Sequence, residues 1–266
     1  MKQNSLKNQG RTIGSKMTNT ESNDKYSIGI DASNLLRGGG RTHLIELLRV
    51  IEPNRYGFDK IIVWGADDTL SFLDDSSWLI KEQIPALNEG LFQRLIWQYF
   101  NLPKLAHTSG CNLLFTPGGN HFGRFHPVVT MSRNMLPFEW KELLRYGLSL
   151  TTFRLILLKS LQLKGYRNAD GIIYLSRYAM KKIQKISGKT NTNVATIPHG
   201  INRNFFSKPR QLYNISSYSL HKPYRLIYVS IVDQYKHQWN LVEAVASLRK
   251  KTGWPIVLDL IGPSYQ

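Results

Sequence analysis

Lys236 lies between an apolar strand pattern, Leu226-Ile227-Tyr228-Val229-Ser230, and a helical one carrying Leu241, Val242, Ala244, Val245 and Leu248. A lysine on such a polar turn is placed to neutralise a phosphate, because the helix N-terminus beside it already offers backbone N–H groups and a favourable dipole. Upstream, Ile197-Pro198-His199-Gly200-Ile201 supplies an imidazole next to a glycine that lets a ligand approach the backbone. Gly38-Gly39-Gly40, flanked by Arg37 and Arg41 and followed by His43, reads either as an anion cradle or as a plain flexible turn. Its spacing is not that of a dinucleotide-binding loop, and the two arginines favour the anion. Gly118-Gly119, within Phe115-Thr116-Pro117-Gly118-Gly119-Asn120-His121, again puts glycines just past an apolar run. Arg133 and Asn134 place a bidentate donor and an amide on a third loop of this kind.

These loops need a scaffold that brings strand ends together. Short apolar segments alternate with helical patterns along the chain, which predicts a mainly parallel sheet covered by helices. Strands are expected at Ser27 to Ala32, Lys60 to Trp64, Asn112 to Phe115, Val128 to Met131, Gly171 to Leu175 and Val194 to Ile197. Helices are expected from about Thr42 to Val50, Leu91 to Asn101, Trp140 to Tyr146, Leu150 to Leu163 and Arg177 to Ile186. In open α/β sheets ligands bind beyond the carboxyl ends of the strands, so three polar loops at such ends predict a cleft. The organisation reads as a polar flexible tail (1–25), an α/β domain (26–206), a Ser-, Tyr- and Asn-rich linker (207–222) and the beginning of a second α/β domain (223–266).

Lys and Arg number 35 against 18 Asp and Glu, a formal net charge of +17, which points to an anionic partner. The single cysteine, Cys111, excludes an intramolecular disulfide and suits a reducing compartment as a small core residue. No secretory core precedes Lys25, and the longest apolar region, Leu148 to Leu163, is interrupted by Arg154 and Lys159, so no spanning helix is predicted. That helix reads either as a core element with a solvated basic edge or as one that docks on an anionic leaflet. In the docked case each basic residue contributes on the order of 1 kcal/mol. His43 is placed either at the cleft or against a neighbouring carbonyl, His199 in a hinge, and His237 on a solvated loop. His107, His121, His126 and His221 are scattered without metal-ligand spacing.

Taken in order, Gly38-Gly39-Gly40 with His43, Ala169-Asp170-Gly171-Ile172-Ile173-Tyr174-Leu175-Ser176, Ile197-Pro198-His199-Gly200-Ile201-Asn202, and Tyr228-Val229-Ser230 leading to Lys236 resemble the family-4 glycosyltransferases. The resemblance runs from about Tyr26 to Gln266 and is nearest to polysaccharide and O-antigen mannosyltransferase-like members. It implies the GT-B fold: one complete Rossmann-like acceptor domain, followed here by the start of a Rossmann-like donor domain. The implied chemistry is retaining transfer from a UDP- or GDP-linked sugar to a glycan or lipid-linked acceptor in surface polysaccharide synthesis. No metal or other cofactor is implied, and the place is the cytoplasm, with peripheral attachment to an anionic inner membrane face.

Carried over by position, Lys236, with His199 and Gly200, would bind the donor. Gly38, Gly39, Gly40, His43, Gly118, Gly119, Arg133 and Asn134 would form the acceptor or phosphate loops. Ile231 stands where the family pattern has an arginine, and Ser132-Arg133-Asn134 where many members have a His-Asp pair, so Arg133 and Asn134 are expected to contact ligand without carrying protons. The family's paired glutamates would fall beyond Gln266, which leaves catalytic residues unassigned, predicts an incomplete donor site and predicts marginal stability from about Pro223 onward. The rivals are a basic nucleic-acid-binding module and a non-catalytic acceptor-binding fragment. No helix-turn-helix, zinc-knuckle or RNP-like segment supports the former, and no nucleic acid is expected.

Overall fold

The computed structural model describes residues 25–188, 193–209, 211 and 213–263. All of the expected N-terminal tail except Lys25 lies outside these residues, as do Arg210 and Leu212 of the expected linker. Seven parallel strands form one sheet: β1 (Tyr26–Asp31), β2 (Phe58–Gly65), β3 (Leu79–Gln83), β4 (Leu113–Thr116), β5 (Val128–Ser132), β6 (Gly171–Tyr174) and β7 (Asn193–Thr196), in the spatial order β3-β2-β1-β4-β5-β6-β7. The chain winds outward from β1 to β3, then returns to β4 on the other side of β1. The order therefore reverses between β1 and β4, and such a switch point opens a crevice at the carboxyl ends of the strands.

Each face of the sheet has its own core, and β2 shows why. Its alternation sends Ile61 and Val63 to one face, with Leu44 and Leu48 of helix α1 (Gly39–Val50), and sends Ile62 and Trp64 to the other. That second face is covered by α3 (Leu91–Phe100), α4 (Leu102–Thr108), α6 (Leu150–Asn168) and α7 (Arg177–Ser187), through Trp97, Leu102, Tyr166 and Ile183. Short helices α2 (Asp67–Leu70) and α5 (Trp140–Leu144) complete this part. Trp64 is wholly buried, and its indole N–H donates to Glu82 at 2.6 Å, so the largest core side chain keeps its polar atom satisfied.

Beyond β7, strands β8 (Tyr224–Val229) and β9 (Ile256–Ile261) pair in parallel around helix α8 (Gln238–Thr252), a right-sized β-α-β unit of its own. No described helix is long and apolar enough to cross a membrane.

The structure departs from the sequence expectations at three helices and one strand. Helix α1 begins at Gly39, so Gly39 and Gly40 form its first turn and only Gly38, at φ +64°, is the residue that glycine's freedom requires. The helix expected at Leu91 to Asn101 is followed directly by α4, with Pro103 in its first turn. Helix α6 runs past Leu163 to Asn168. β3 carries no apolar run to mark it, because its sequence, Leu-Ile-Lys-Glu-Gln, is that of a half-exposed edge strand. Cys111, expected as a small core residue, lies just before β4 and is half-buried against Trp64 and Gly29, where burial pushes its thiol up to about 11.

Candidate functional site

A cavity of about 950 Å³ opens where the switch point predicts one. It is walled by the loop after β1 and the first turns of α1, by the loop after β5, and by the segment after β7. The sequence-predicted residues Gly39, Gly40, His43, Arg133, Asn134, His199 and Gly200 all line it, together with Arg37. These residues lie far apart in sequence, and only the parallel winding of the sheet brings their loops to one edge.

Arg133 is the centre of the arrangement. Its Nε donates to the carbonyl of Pro117 at 2.7 Å, and its guanidinium lies against the Cα of Gly40 so closely that a Cβ there would strike Nη1. Among the described residues no carboxylate lies within ion-pairing distance of it. Burial lowers its pKa, partly offset by Tyr166, and leaves a desolvated cation facing the cavity. An unpaired guanidinium in a half-buried setting is costly unless an anion answers it.

The rings of His43 and His199 meet beside this cation, with centroids 4.5 Å apart. Burial lowers both pKa values, His199 and Arg133 lower that of His43 further, and Arg133 does the same to His199. Both imidazoles are therefore held neutral near pH 7, each able to accept or donate one hydrogen bond. The N-terminus of α1 opens on the same space without an acidic residue in its first turn or a side-chain cap, leaving its first backbone N–H groups free. The buried Nδ2 of Asn34, also on the wall, has no partner among the described residues.

Asn134 lines the cavity while its Oδ1 accepts from the amide of Leu136 at 3.0 Å, so the turn fixes its side chain and leaves the amide nitrogen for a ligand. On the far wall Glu46 accepts from Asn202 at 3.3 Å and pairs with Arg49 at 2.8 Å, which holds the segment after β7 against α1. Arg41 is turned away, paired with Asp68 at 2.6 Å and stacked on Phe72, so of the two arginines flanking the glycines only Arg37 belongs to the cavity.

Gly118 and Gly119 lie behind this wall. Gly118 packs on Asn34, and Gly119, at φ +82°, packs on Gln162 and Tyr166 of α6. Their loop anchors Arg133 through Pro117 and does not itself line the cavity. Lys236 is also outside the lining, on the loop beyond the carboxyl end of β8, with its ammonium 4.7 Å from the ring centroid of Tyr235.

Asp31 at the end of β1 is fully buried. Its carboxylate accepts from the amide of Ser33 at 2.9 Å and from Gln98 at 2.6 Å, and burial raises its pKa against those bonds. This ties α3 to the end of β1. Among the described residues no group of three or more His, Cys, Asp or Glu side chains is arranged to hold a metal ion.

Three histidines differ from their expected roles. His237 is no free loop residue: it adopts a left-handed backbone conformation at the start of α8 and pairs with Glu142 at 3.1 Å. His121 and His126 converge with Asp170, whose carboxylate meets His126 Nδ1 at 2.6 Å and the Val128 amide at 2.8 Å. Asn34, Glu46 and Tyr166 carried no recognisable signal in the sequence, since each matters through contacts across the sheet edge.

No family model matches the chain, and no curated protein matches it. Among solved structures the chain is similar to the apo form of a lipopolysaccharide outer core galactosyltransferase, WaaB, with a TM-score of 0.42 and 11% sequence identity over 89% of this chain and 68% of that one.

Proposed function

We propose that this chain is a glycosyltransferase of GT-B type, in which the cavity at the β1/β4 switch point receives an anionic sugar substrate. The observation that carries the reading is the unpaired Arg133 guanidinium, fixed by Pro117 and Gly40, converging with two neutral imidazoles and an open helix N-terminus. A monoanion would be held by any one of these. A cavity of about 950 Å³ with cationic and polar groups on three walls suits something larger, with a phosphate at one end and hydroxyls at the other.

The ordered motifs supply the finer reading. The seven-stranded domain holds a glycan or lipid-linked acceptor, and the unit carrying Lys236 holds the diphosphate of a UDP- or GDP-sugar, with residues 207–222 linking the two. Transfer proceeds with retention at the anomeric carbon. The developing charge on the leaving diphosphate is stabilised electrostatically by Lys236, Arg133 and backbone N–H groups, without a metal ion. His199 and Gly200 lie at the junction between the two substrates.

The test is calorimetric binding of UDP, GDP and their sugars to the full chain, followed by transfer from the same donors to lipid-linked acceptors. Micromolar binding of a nucleotide sugar, weakened by Arg133→Gln and by Lys236→Gln, is the expected result. Steeply salt-dependent oligonucleotide binding that nucleotide sugars do not displace would overturn it in favour of a basic binding module.

A further inference from the structure

Helix α3 turns one side to the core and leaves the other bare. Trp97 and Gln98 are buried, and Gln98 donates to Asp31 Oδ2 at 2.6 Å and to Ser33 Oγ at 2.8 Å, which fixes this side to the end of β1. On the solvent side Phe92, Ile96 and Phe100 recur every four residues and are 71%, 42% and 50% exposed. With Tyr99 they fall within about 100° of arc around the helix, so they form a single stripe. Its exposed area, roughly 400 Å², is that of the largest apolar patch on a typical monomer, a size at which such patches are often functional.

The C-terminal end of the stripe is braced. The Tyr99 ring stands edge-on to Phe100 and to Phe122, with centroids 4.7 and 5.6 Å away. Arg124 lies over the Tyr99 ring at 4.0 Å and donates to its hydroxyl at 2.8 Å. Side chains held in this way lose little conformational freedom when they are covered.

Charge and spacing identify the occupant. Ile96 lies midway between Phe92 and Phe100, so the stripe reads alike from either end. Exposed Glu89 precedes it, whereas exposed Lys104 follows it with Arg124 at the same end. Among the described residues none of these three is in an ion pair. An anionic lipid surface calls for cations at both ends, but one acidic and one basic end suit a surface carrying the same pair reversed. Laid antiparallel on a second copy, α3 sets Phe92 against that copy's Phe100 and Glu89 toward its Lys104, each contact occurring twice about a two-fold axis. Parallel pairing would set lysine against lysine and is opposed by charge.

We infer that the solvent face of α3 is a docking surface for a second copy of this chain, paired antiparallel across Ile96. The stripe supplies about half of the roughly 800 Å² per partner found in a standard interface, so the dimer is a weak one that forms in the micromolar range. Pairing would clamp the helix whose opposite side holds Asp31 and Ser33, directly before Asn34 on the cavity wall. The inference stands on this face alone and does not depend on the reading of the cavity.

The experiment is sedimentation equilibrium of the full chain over a range from about 1 to about 100 μM at about 0.15 M salt. No nucleotide sugar is added, so failure here leaves the transferase reading intact and the reverse also holds. The mass is expected to rise from monomer to dimer across the range, and Phe92→Ser/Ile96→Ser to stay monomeric throughout. Both positions are exposed, so an unchanged unfolding midpoint separates lost pairing from lost folding. Glu89→Lys and Lys104→Glu should each weaken the dimer tenfold or more, and the two combined should restore it, which a merely structural effect of either charge would not do. A monomer at every concentration would overturn the inference, as would a dimer that Phe92→Ser/Ile96→Ser leaves intact or charge reversals that fail to rescue each other. So would co-sedimentation with phosphatidylglycerol vesicles, lost in Phe92→Ser/Ile96→Ser, by a chain that stays monomeric, since the stripe would then serve a lipid surface.

Discussion

The phenol of Tyr146 donates to Asp233 Oδ1 at 2.7 Å, joining the end of α5 to the loop that carries Lys236. Burial and this bond push the Tyr146 hydroxyl above its ordinary range, so it stays a donor throughout the working pH range. The His237–Glu142 pair and Arg145, 5.4 Å from the Trp239 ring centroid, add to the same junction. Tyr146→Phe should cost about 1 kcal/mol, confined to this contact. Amide exchange across residues 231–240 should rise while that of β1, β4 and β5 stays unchanged, and equal protection in the two proteins would show that the loop is held by other means.

Arg133→Gln removes the unpaired charge while keeping a polar side chain of similar reach. Charge-assisted hydrogen bonds contribute about 1.5–3 kcal/mol, so affinity for pyrophosphate or a nucleoside diphosphate should fall roughly ten- to hundred-fold. Thermal stability should hold or rise, because the variant no longer buries a lone cation. Unchanged affinity by calorimetry would remove Arg133 from the site.

Gly40→Ala should split stability from binding. Alanine in the first turn of α1 favours the helix by up to about 1 kcal/mol, yet its Cβ would occupy the place of the Arg133 guanidinium and force that group to swing away. The expected outcome is an unchanged or higher unfolding midpoint together with weaker pyrophosphate binding. Full binding would mean that the position of Arg133 is not critical.

Protonation should tune the cavity. His43 and His199 have pKa values lowered from the ordinary 6.5, and a bound anion favours their charged forms. Pyrophosphate affinity should therefore increase as pH falls from 7.5 to about 5.5. The double variant His43→Asn/His199→Asn should flatten this slope, and a slope that survives would belong to the phosphate's own ionisation.

A different histidine should govern stability in acid. Burial pushes His121 down to about 4, with His126 lowering it further and Asp170 opposing both. Below 6.5 the unfolded chain takes up a proton that the folded one refuses. Stability is thus intact above that pH and is lost progressively as pH falls to about 4. Urea midpoints across this window should drop less steeply in His121→Gln, and parallel curves would place the acid sensitivity elsewhere.

How much of this was legible follows from the range of each signal. β1, β2 and β5 announced themselves because a strand buried on both faces is an apolar run, and the loops at their carboxyl ends followed from that. β3 did not, because an edge strand with Lys81 and Glu82 lacks that run. Gly39 and Gly40 read as loop because glycine weakens a helix, but they occupy a first turn, where at Gly40 a bulkier residue would displace Arg133 while Gly39 faces open space. Gly165 concealed the last turn of α6 for a related reason: a Cβ there would collide with the carbonyl of Gly119, a contact between segments far apart in sequence. The His43–His199 pair, the Arg133–Gly40 contact and the clamp of Asp170 on His126 depend on strand register and crossover direction, which residue types do not encode locally.

Helix α6 is continuous from Leu150 to Asn168, and its two ends have different neighbours. Toward its C-terminus Gln162, Gly165 and Tyr166 lie against the Gly118–Gly119 loop, whose Pro117 carbonyl fixes Arg133. At its opposite end Leu150 and Phe153 are exposed, while Leu155 between them and the core is buried. The helix is therefore part of the frame of the site: a side chain added at Gly165 would push the Gly118–Gly119 loop, and with it the Pro117 carbonyl that holds Arg133, out of place.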